Sequence, residues 1–249
     1  MNWSIAGWVV IGLSAVMLVI FSLLGKKPDS YPLRRSPSVD GLMKAQSTAI
    51  ERGQPRLVAL GDQYWSRTYP GLGLNALITL PFLADSENLV DGGFSVAGGD
   101  GSLVVLAHQI IQNGYVNGYS MDLSKPRVRT LLPGPTHLSY SMGLLTELRL
   151  RNYGSVALLG HFGPEAILLT EAVQSKGGYI FAAAGSLISQ AALLLSVRDM
   201  LISESVYSIS GLLSPTSTDP SRWLIEDTLR TILIISLVAG VIMKLLGVL

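Results

Sequence analysis

The chain has 249 residues, of which 49% are hydrophobic and 14% are charged, and soluble domains are usually ~25% charged. The formal net charge of +1 gives no electrostatic case for nucleic acid as a partner. Because cysteine is absent, disulfides, thiolate metal sites, iron–sulfur clusters and cysteine nucleophiles are excluded. The composition therefore indicates a membrane-spanning chain or an unusually large core.

Each end of the chain carries an apolar segment of the length that crosses a bilayer. Residues 3–25 contain no charge and are followed by Lys26 and Lys27, which is typical of a stop-transfer flank rather than a cleaved signal peptide. Residues 231–249 contain one charge, Lys244, and its ammonium group can reach the far interface. About 20 helical residues cover the hydrocarbon core. We therefore predict two membrane helices, at 1–25 and 231–249, with the lipid bilayer as a partner.

Basic side chains set the predicted orientation. None precedes the first membrane segment, several follow it closely, and two precede the last one. Since positive flanks face the cytoplasm, we expect a two-pass protein of the cell membrane with a cytoplasmic domain and both termini outside. The basic side chains concerned are Lys26, Lys27, Arg34, Arg35 and Lys44 after the first segment, and Arg222 and Arg230 before the last.

Between these segments the sequence predicts an α/β domain at 39–214. A basic, proline-rich linker at 26–38 leads into it, and a linker with an amphipathic segment at 215–230 leads out. Continuous apolar strands alternate with helices, which indicates a mostly parallel sheet with helices on both faces. After a first helix capped by Ser38 or Asp40, strands are predicted at 56–60, 94–97, 128–132, 155–159 and 179–183, and helices at 73–84, 102–113, 137–151, 163–176 and from 186 onward.

A third apolar stretch, residues 180–197, is just long enough to cross a membrane. Glycines open it and break it, and Gln190 interrupts it, so a buried strand, a turn and a buried helix are favoured. Further on, Arg198, Asp199 and Glu204 interrupt the apolar run 187–213. If that run is one long helix, these charges form ion pairs at a subunit or domain contact; otherwise they lie on a solvated face.

In open α/β sheets, ligands bind beyond the carboxyl ends of the strands. The Gly-rich loop 98–102 ends one predicted strand, and its N–H groups can attract an anion, unless Asp100 or Ser102 simply caps the next helix. The whole set of candidate ligand-binding residues is Asp62, Gly98, Gly99, Asp100, Gly101, Ser102, His161, Glu165 and Ser186.

His161 follows one strand and Glu165 opens the next helix. A histidine and a carboxylate at such a junction suit acid–base work, although a glutamate there also complements the helix dipole. His108 and His137 are not spaced from His161 as metal ligands. We therefore predict no metal site, no cofactor and no assigned catalytic residue, and an enzymatic role is not favoured.

Two short patterns have low specificity. Residues 71–76 match the dinucleotide-binding pattern G-x-G-x-x-A, but about ten residues separate them from the preceding strand, where the turn should be immediate. In the last membrane segment, Ser236 and Gly240 form a small-xxx-small pair, which permits close packing against the first membrane helix or a second copy.

Two segments carry a resemblance. Residues 49–53 read AIERG before the first strand, and residues 201–207 read LISESVY. In these the chain resembles, over roughly residues 45–215, a family of bacterial membrane proteins whose shared region is a domain of unknown function. The resemblance implies a glutamate and a tyrosine at the late position, with Glu204 and Tyr207 as counterparts, although the flanking residues here depart toward serine. It implies a membrane-attached α/β domain and no particular activity.

The leading hypothesis is a membrane-anchored scaffold or assembly subunit. It would act through its cytoplasmic domain and self-associate as a homo-oligomer or within a larger membrane complex. The alternative is a Rossmann-like, membrane-attached domain that binds a nucleotide or another anion at the strand ends, with or without catalysis.

Overall fold

A computed structural model describes residues 36–61, 70–84, 93–117 and 128–213, with 227, 228, 230, 231, 233 and 234. The chain divides into two compact units, one of Met1–Arg34 with Pro215–Leu249 and one of Arg35–Ser214. Apart from helical Thr231, Leu233 and Ile234, the predicted membrane segments lie outside the described residues, as do Asp62, Ser236 and Gly240. Within the described ranges, no helix combines the length and the apolar character needed to cross a membrane.

The larger unit is built on six parallel strands in one sheet, with the spatial order β3-β2-β1-β4-β5-β6. The chain starts near the centre, winds to one edge and then crosses to the other half, which is the order of a doubly wound sheet. The prediction of a mostly parallel α/β sheet is confirmed. The strands are β1 (Arg56–Gly61), β2 (Phe94–Ala97), β3 (Val128–Leu131), β4 (Ser155–His161), β5 (Tyr179–Ala184) and β6 (Asp199–Leu201).

Helices fill the connections between these strands and cover both faces. Apolar residues that alternate along each strand point to opposite sides, and each side has its own buried cluster. The first face carries α1 (Pro37–Glu51), α2 (Pro70–Leu83), α3 (Gly101–Asn117), a 3₁₀ helix (Ser203–Ser208) and α7 (Ile209–Leu213). The second face carries α4 (His137–Leu150), α5 (Ala166–Gln174) and α6 (Leu187–Leu194).

Residues 180–197 form β5, a turn and α6, so the predicted strand–turn–helix order is confirmed, but the prediction that the helix is buried is wrong, because Leu187, Ile188 and Leu194 are exposed. The run 187–213 is not one long helix: it contains α6, β6, the 3₁₀ helix and α7. Asp199 lies in β6, where its Oδ2 accepts a hydrogen bond of 2.8 Å from the Tyr179 hydroxyl. That edge strand has three residues, which is too short to show a period of two in the sequence.

A polar network lies at the amino ends of the strands. The buried Tyr153 hydroxyl donates to Glu147 Oε1 at 2.9 Å and lies 3.3 Å from the Ser95 hydroxyl. Glu147 Oε1 also faces Arg129 at 2.8 Å and Arg151 at 3.3 Å. Burial, together with the neighbouring Glu147, raises the pKa of Tyr153 to about 12. This network is remote from the carboxyl edge, where the candidate ligand residues lie.

Candidate functional site

The winding of the chain reverses between β1 and β4, and ligands of doubly wound sheets bind beyond the carboxyl ends of the strands at this switch point. Here β1 ends at Gly61 and β4 ends at His161, and these two residues are paired after a register shift. Gly61 has φ +78°, and a Cβ built on it would lie 2.8 Å from the His161 backbone nitrogen. Gly160, with φ +143°, abuts the Leu60 carbonyl in the same way. Only glycine fits at either position, so the two strand ends touch through their backbones.

Glycines also join the loops that follow the strands. The Gly99 N–H donates to the Gly61 carbonyl at 2.9 Å, and the Gly98 N–H donates to the Leu131 carbonyl at 3.1 Å. The Gly185 N–H donates to the Gly160 carbonyl at 2.9 Å. The carboxyl edge is therefore a continuous hydrogen-bonded surface across five of the six strands.

Several backbone N–H groups of loop 98–102 donate to other atoms of the protein and cannot bind a ligand. The N–H groups of Gly98 and Gly99 serve neighbouring strands, and the Ser102 N–H donates to Asp100 Oδ1 at 2.9 Å. Three of the five N–H groups of the loop are thus engaged within the protein. The capping role of Asp100, which the sequence left open, is present, and anion binding by this loop stays a prediction.

Two histidines meet above the switch point. The imidazole rings of His161 and His137 have centroids 5.0 Å apart and planes tilted by 40°. His161 is half-buried, whereas His137 is exposed and begins α4, directly after its N-cap Thr136. The sequence singled out His161 but not this neighbour. Helix α4 connects edge strand β3 to β4, so the contact depends on a crossover that the residue spacing did not reveal.

Glu165 and Ser186 lie on the neighbouring loops. Glu165 occupies the N-cap position of α5 without capping it, and its carboxylate turns back over Gly163. Its buried Oε1 receives no hydrogen bond from the described part of the chain. Ser186 caps α6 by accepting from the Ser189 N–H at 3.1 Å, and its hydroxyl donates to the Phe162 carbonyl at 3.2 Å. Ser186 therefore ties α6 to the loop after β4.

The pattern at residues 71–76 lies within α2 and not in the turn before it, so the expected phosphate-binding turn is not formed by these glycines. A Cβ on Gly71 would instead lie 3.8 Å from the Tyr207 ring. Nearby, the Asn75 side chain donates to the Val206 carbonyl at 3.0 Å. The late segment that carries the family resemblance thus packs against the start of α2.

Two helices also expose apolar faces, one on each side of the sheet. On α6 the outward side chains are Leu187, Ile188, Leu194 and Leu195, with Leu187 80% and Leu195 84% exposed. On α2 the outward side chains are Leu74, Ile78 and Phe82, each between 39% and 49% exposed. No charged residue occurs in 70–84 or in 177–197. These faces could not be identified from the sequence, because the buried and the exposed positions of both helices are all apolar or neutral.

Among the described residues, no three histidine or acidic side chains are grouped so that they could hold a metal ion. No family model, no curated protein and no solved structure matches the chain. The functional case therefore rests on the geometry of the carboxyl edge and of the two apolar helix faces.

Proposed function

We propose that this protein is a membrane-anchored assembly subunit. Its α/β domain joins copies of itself, or other subunits of one complex, through the apolar faces of α2 and α6. The anchoring rests on the two apolar terminal segments, and the cytoplasmic side rests on the basic residues beside them. The observation that carries the proposal is the exposure of large apolar side chains on both faces of one sheet.

The size of these faces supports protein contacts. The four outward side chains of α6 expose on the order of 500 Å² of apolar surface, which is as large as the largest apolar patch of a typical monomer. A second uncharged face on α2 adds to it. Covering such a face gains about 25 cal/mol per Å² of apolar surface, which favours a contact that buries both faces.

The placement of the faces argues for assembly over membrane contact alone. Helices α2 and α6 lie on opposite sides of the sheet, because each packs on a different buried cluster. A planar bilayer can cover one of these sides but not both. In this proposal the face that a bilayer leaves uncovered contacts protein, and two different faces allow either two-fold pairs or head-to-tail growth.

The particle mass of the full-length protein tests this proposal. In mild detergent and in native-lipid discs we expect a multimer of defined stoichiometry by light scattering. Ile78→Glu should reduce that mass, since it places a charge on the α2 face, whereas Leu150→Glu should not. Leu150 is a suitable control because it is 76% exposed on α4, away from both faces. A strict monomer at all concentrations, with no other subunit bound, would refute the proposal.

A second candidate function is the binding of a nucleotide or another anion at the switch point. The contact of His137 with His161 favours it, because it places two imidazole rings, whose N–H groups are hydrogen-bond donors, beside the strand ends. We expect a binding anion to raise the melting temperature of the wild type and of His108→Gln, but not of His161→Gln. His108 lies on α3, where its Nε2 is 2.8 Å from Gln112.

The probes for this second function are inorganic phosphate, sulfate and a panel of nucleoside mono-, di- and triphosphates. A ligand present at 100 times its Kd would add about 2.7 kcal/mol of stability. If no member of the panel shifts the wild type, the switch point is not an anion site. If His161→Gln responds as strongly as the wild type, the bound anion lies elsewhere.

A further inference from the structure

Helix α6 turns most of its large apolar side chains away from the core, unlike an ordinary surface helix. Its polar side chains Ser189 and Gln190 are buried, and Gln190 donates to the Ala184 carbonyl at 2.8 Å and accepts from the Ser203 N–H at 3.4 Å. Leu193 is buried with them, whereas Leu187, Ile188 and Leu194 point outward. A surface helix normally turns its apolar stripe toward the core, so the outward stripe of α6 has the character of a contact surface.

The outward stripe is symmetric about Ala191. Leu187 and Leu195 lie four residues to either side of this exposed alanine, and Ile188 and Leu194 lie three residues to either side. Residues three and four apart share one face of a helix. The stripe therefore has a small side chain at its centre and a pair of large ones at each end.

Such a pattern is complementary to itself when two helices run antiparallel. With Ala191 on a two-fold axis, Leu187 of one copy meets Leu195 of the other, and Ile188 meets Leu194. Two-fold interfaces require this reciprocity, in which residue i contacts j and j contacts i. The small central residue allows the helix axes to approach to about 8 Å.

Charge does not oppose this pairing. No charged residue occurs between Lys176 and Arg198, so two α6 faces can be brought together without burying or opposing an ion. In an antiparallel pair each helix C-terminus also lies beside the other N-terminus, which is the favourable arrangement of the helix dipoles.

We propose that α6 is a homotypic docking helix, which pairs antiparallel with α6 of a second copy about an axis through Ala191. The inference rests on the proposed assembly function and names one of its interfaces. About 500 Å² per copy is less than the ~800 Å² per partner of a standard interface. Confinement of both copies to one bilayer raises their effective concentration, which favours the dimer although the interface is small.

Cysteine cross-linking tests the geometry, because the natural chain contains no cysteine. Single variants Ala191→Cys, Leu187→Cys and Leu195→Cys are made in the full-length protein and oxidised in native membranes. A disulfide needs Cα atoms about 4.4–6.8 Å apart. We expect Ala191→Cys to form a cross-linked dimer, while Leu187→Cys and Leu195→Cys alone do not, since in the antiparallel pair each lies about 12 Å along the axis from its counterpart.

Co-expression gives the complementary result. Differently tagged Leu187→Cys and Leu195→Cys chains should form a mixed dimer that neither forms alone. Leu150→Cys, at a comparably exposed site on α4, measures the background of random collisions. Adding Leu195→Glu to Ala191→Cys should lower the cross-linked fraction about tenfold, because a carboxylate would be buried in the contact, whereas adding Leu150→Glu should leave it unchanged.

Failure of the interface and failure of the assembly function are distinguishable. If Ala191→Cys cross-links no better than Leu150→Cys, the α6 pairing is wrong. Efficient cross-linking of Leu187→Cys and of Leu195→Cys on their own would also overturn it, since that pattern requires parallel helices. If the wild-type particle is nevertheless a multimer, assembly stands and uses the α2 face; if it is a monomer, both proposals fall.

Discussion

The contact of the β1 and β4 strand ends predicts that two glycines with nearly equal φ angles respond very differently to alanine. Gly61 has φ +78° and Gly177 has φ +72°, so an L side chain costs about 1 kcal/mol at either position through conformation alone. At Gly177 a Cβ would have nothing within 4 Å. At Gly61 it would press on the His161 backbone.

The expected difference follows from what Gly61→Ala must break. Relief of the clash separates β1 from β4 at their ends and displaces the hydrogen bond that the Gly99 N–H donates to the Gly61 carbonyl. The conformational cost of about 1 kcal/mol is joined by about 1 kcal/mol for the bond from Gly99 and about 1 kcal/mol for the ladder bond of the Gly61–His161 pair, so the total for Gly61→Ala is about 3 kcal/mol. For a domain of this size 1 kcal/mol corresponds to about 3 °C. Melting temperatures should thus fall by about 3 °C for Gly177→Ala and by about 9 °C for Gly61→Ala.

Thermal unfolding of the full-length protein in detergent, followed by far-ultraviolet circular dichroism, measures both shifts. Gly53→Ala is a second control, since Gly53 has φ +62° and its Cβ would also lie in open space. Equal losses for Gly61→Ala and Gly177→Ala would refute the reasoning. They would mean that the strand ends part freely, and that the switch point is an open crevice and not a backbone contact.

Three further substitutions test single contacts. Tyr153→Phe should cost about 1 kcal/mol of stability through the lost hydrogen bond to Glu147. Because burial raises the pKa of Tyr153 to about 12, the wild type should also lose stability as the pH rises from about 10 to about 12. Urea titrations across this range should show a smaller loss of stability for the variant. Asp100→Ala should lower the melting temperature by about 3 °C through the lost cap on the Ser102 N–H, with Asp100→Asn close to wild type; an unchanged melting temperature for Asp100→Ala would show that the cap is dispensable. Lys176→Met should also lower the melting temperature by about 3 °C, because the Lys176 ammonium donates hydrogen bonds to three carbonyls at the end of α4. Lys176→Arg should recover most of this loss.

The sheet could be predicted from the sequence because its central strands are continuous apolar runs bounded by glycine or proline. The predicted 94–97 coincides with β2, and the predicted 155–159 lies within β4. Edge strand β6 was missed, since its three residues carry Asp199 and follow an apolar helix. The strand order could not be predicted, because it depends on which strands pair and not on any local pattern.

The candidate site was predictable only in part, for the same reason. His161 was identified because it lies just beyond the predicted strand 155–159, and in the structure it is the last residue of β4. Its partner His137 comes from the far end of a crossover helix, so only the three-dimensional pairing brings the rings together. The outward stripe of α6 could not be predicted, because Ser189 and Gln190, which look like surface residues, are buried.

The two edges of the sheet bear on how copies can be joined. Edge strand β3 has four residues and carries Arg129, and edge strand β6 has three and carries Asp199. Short strands with charged side chains are poor templates for an added strand. Continuous β-ribbons formed edge to edge are thereby disfavoured, and an array of these domains would grow perpendicular to the sheet, as alternating layers of helix and strand.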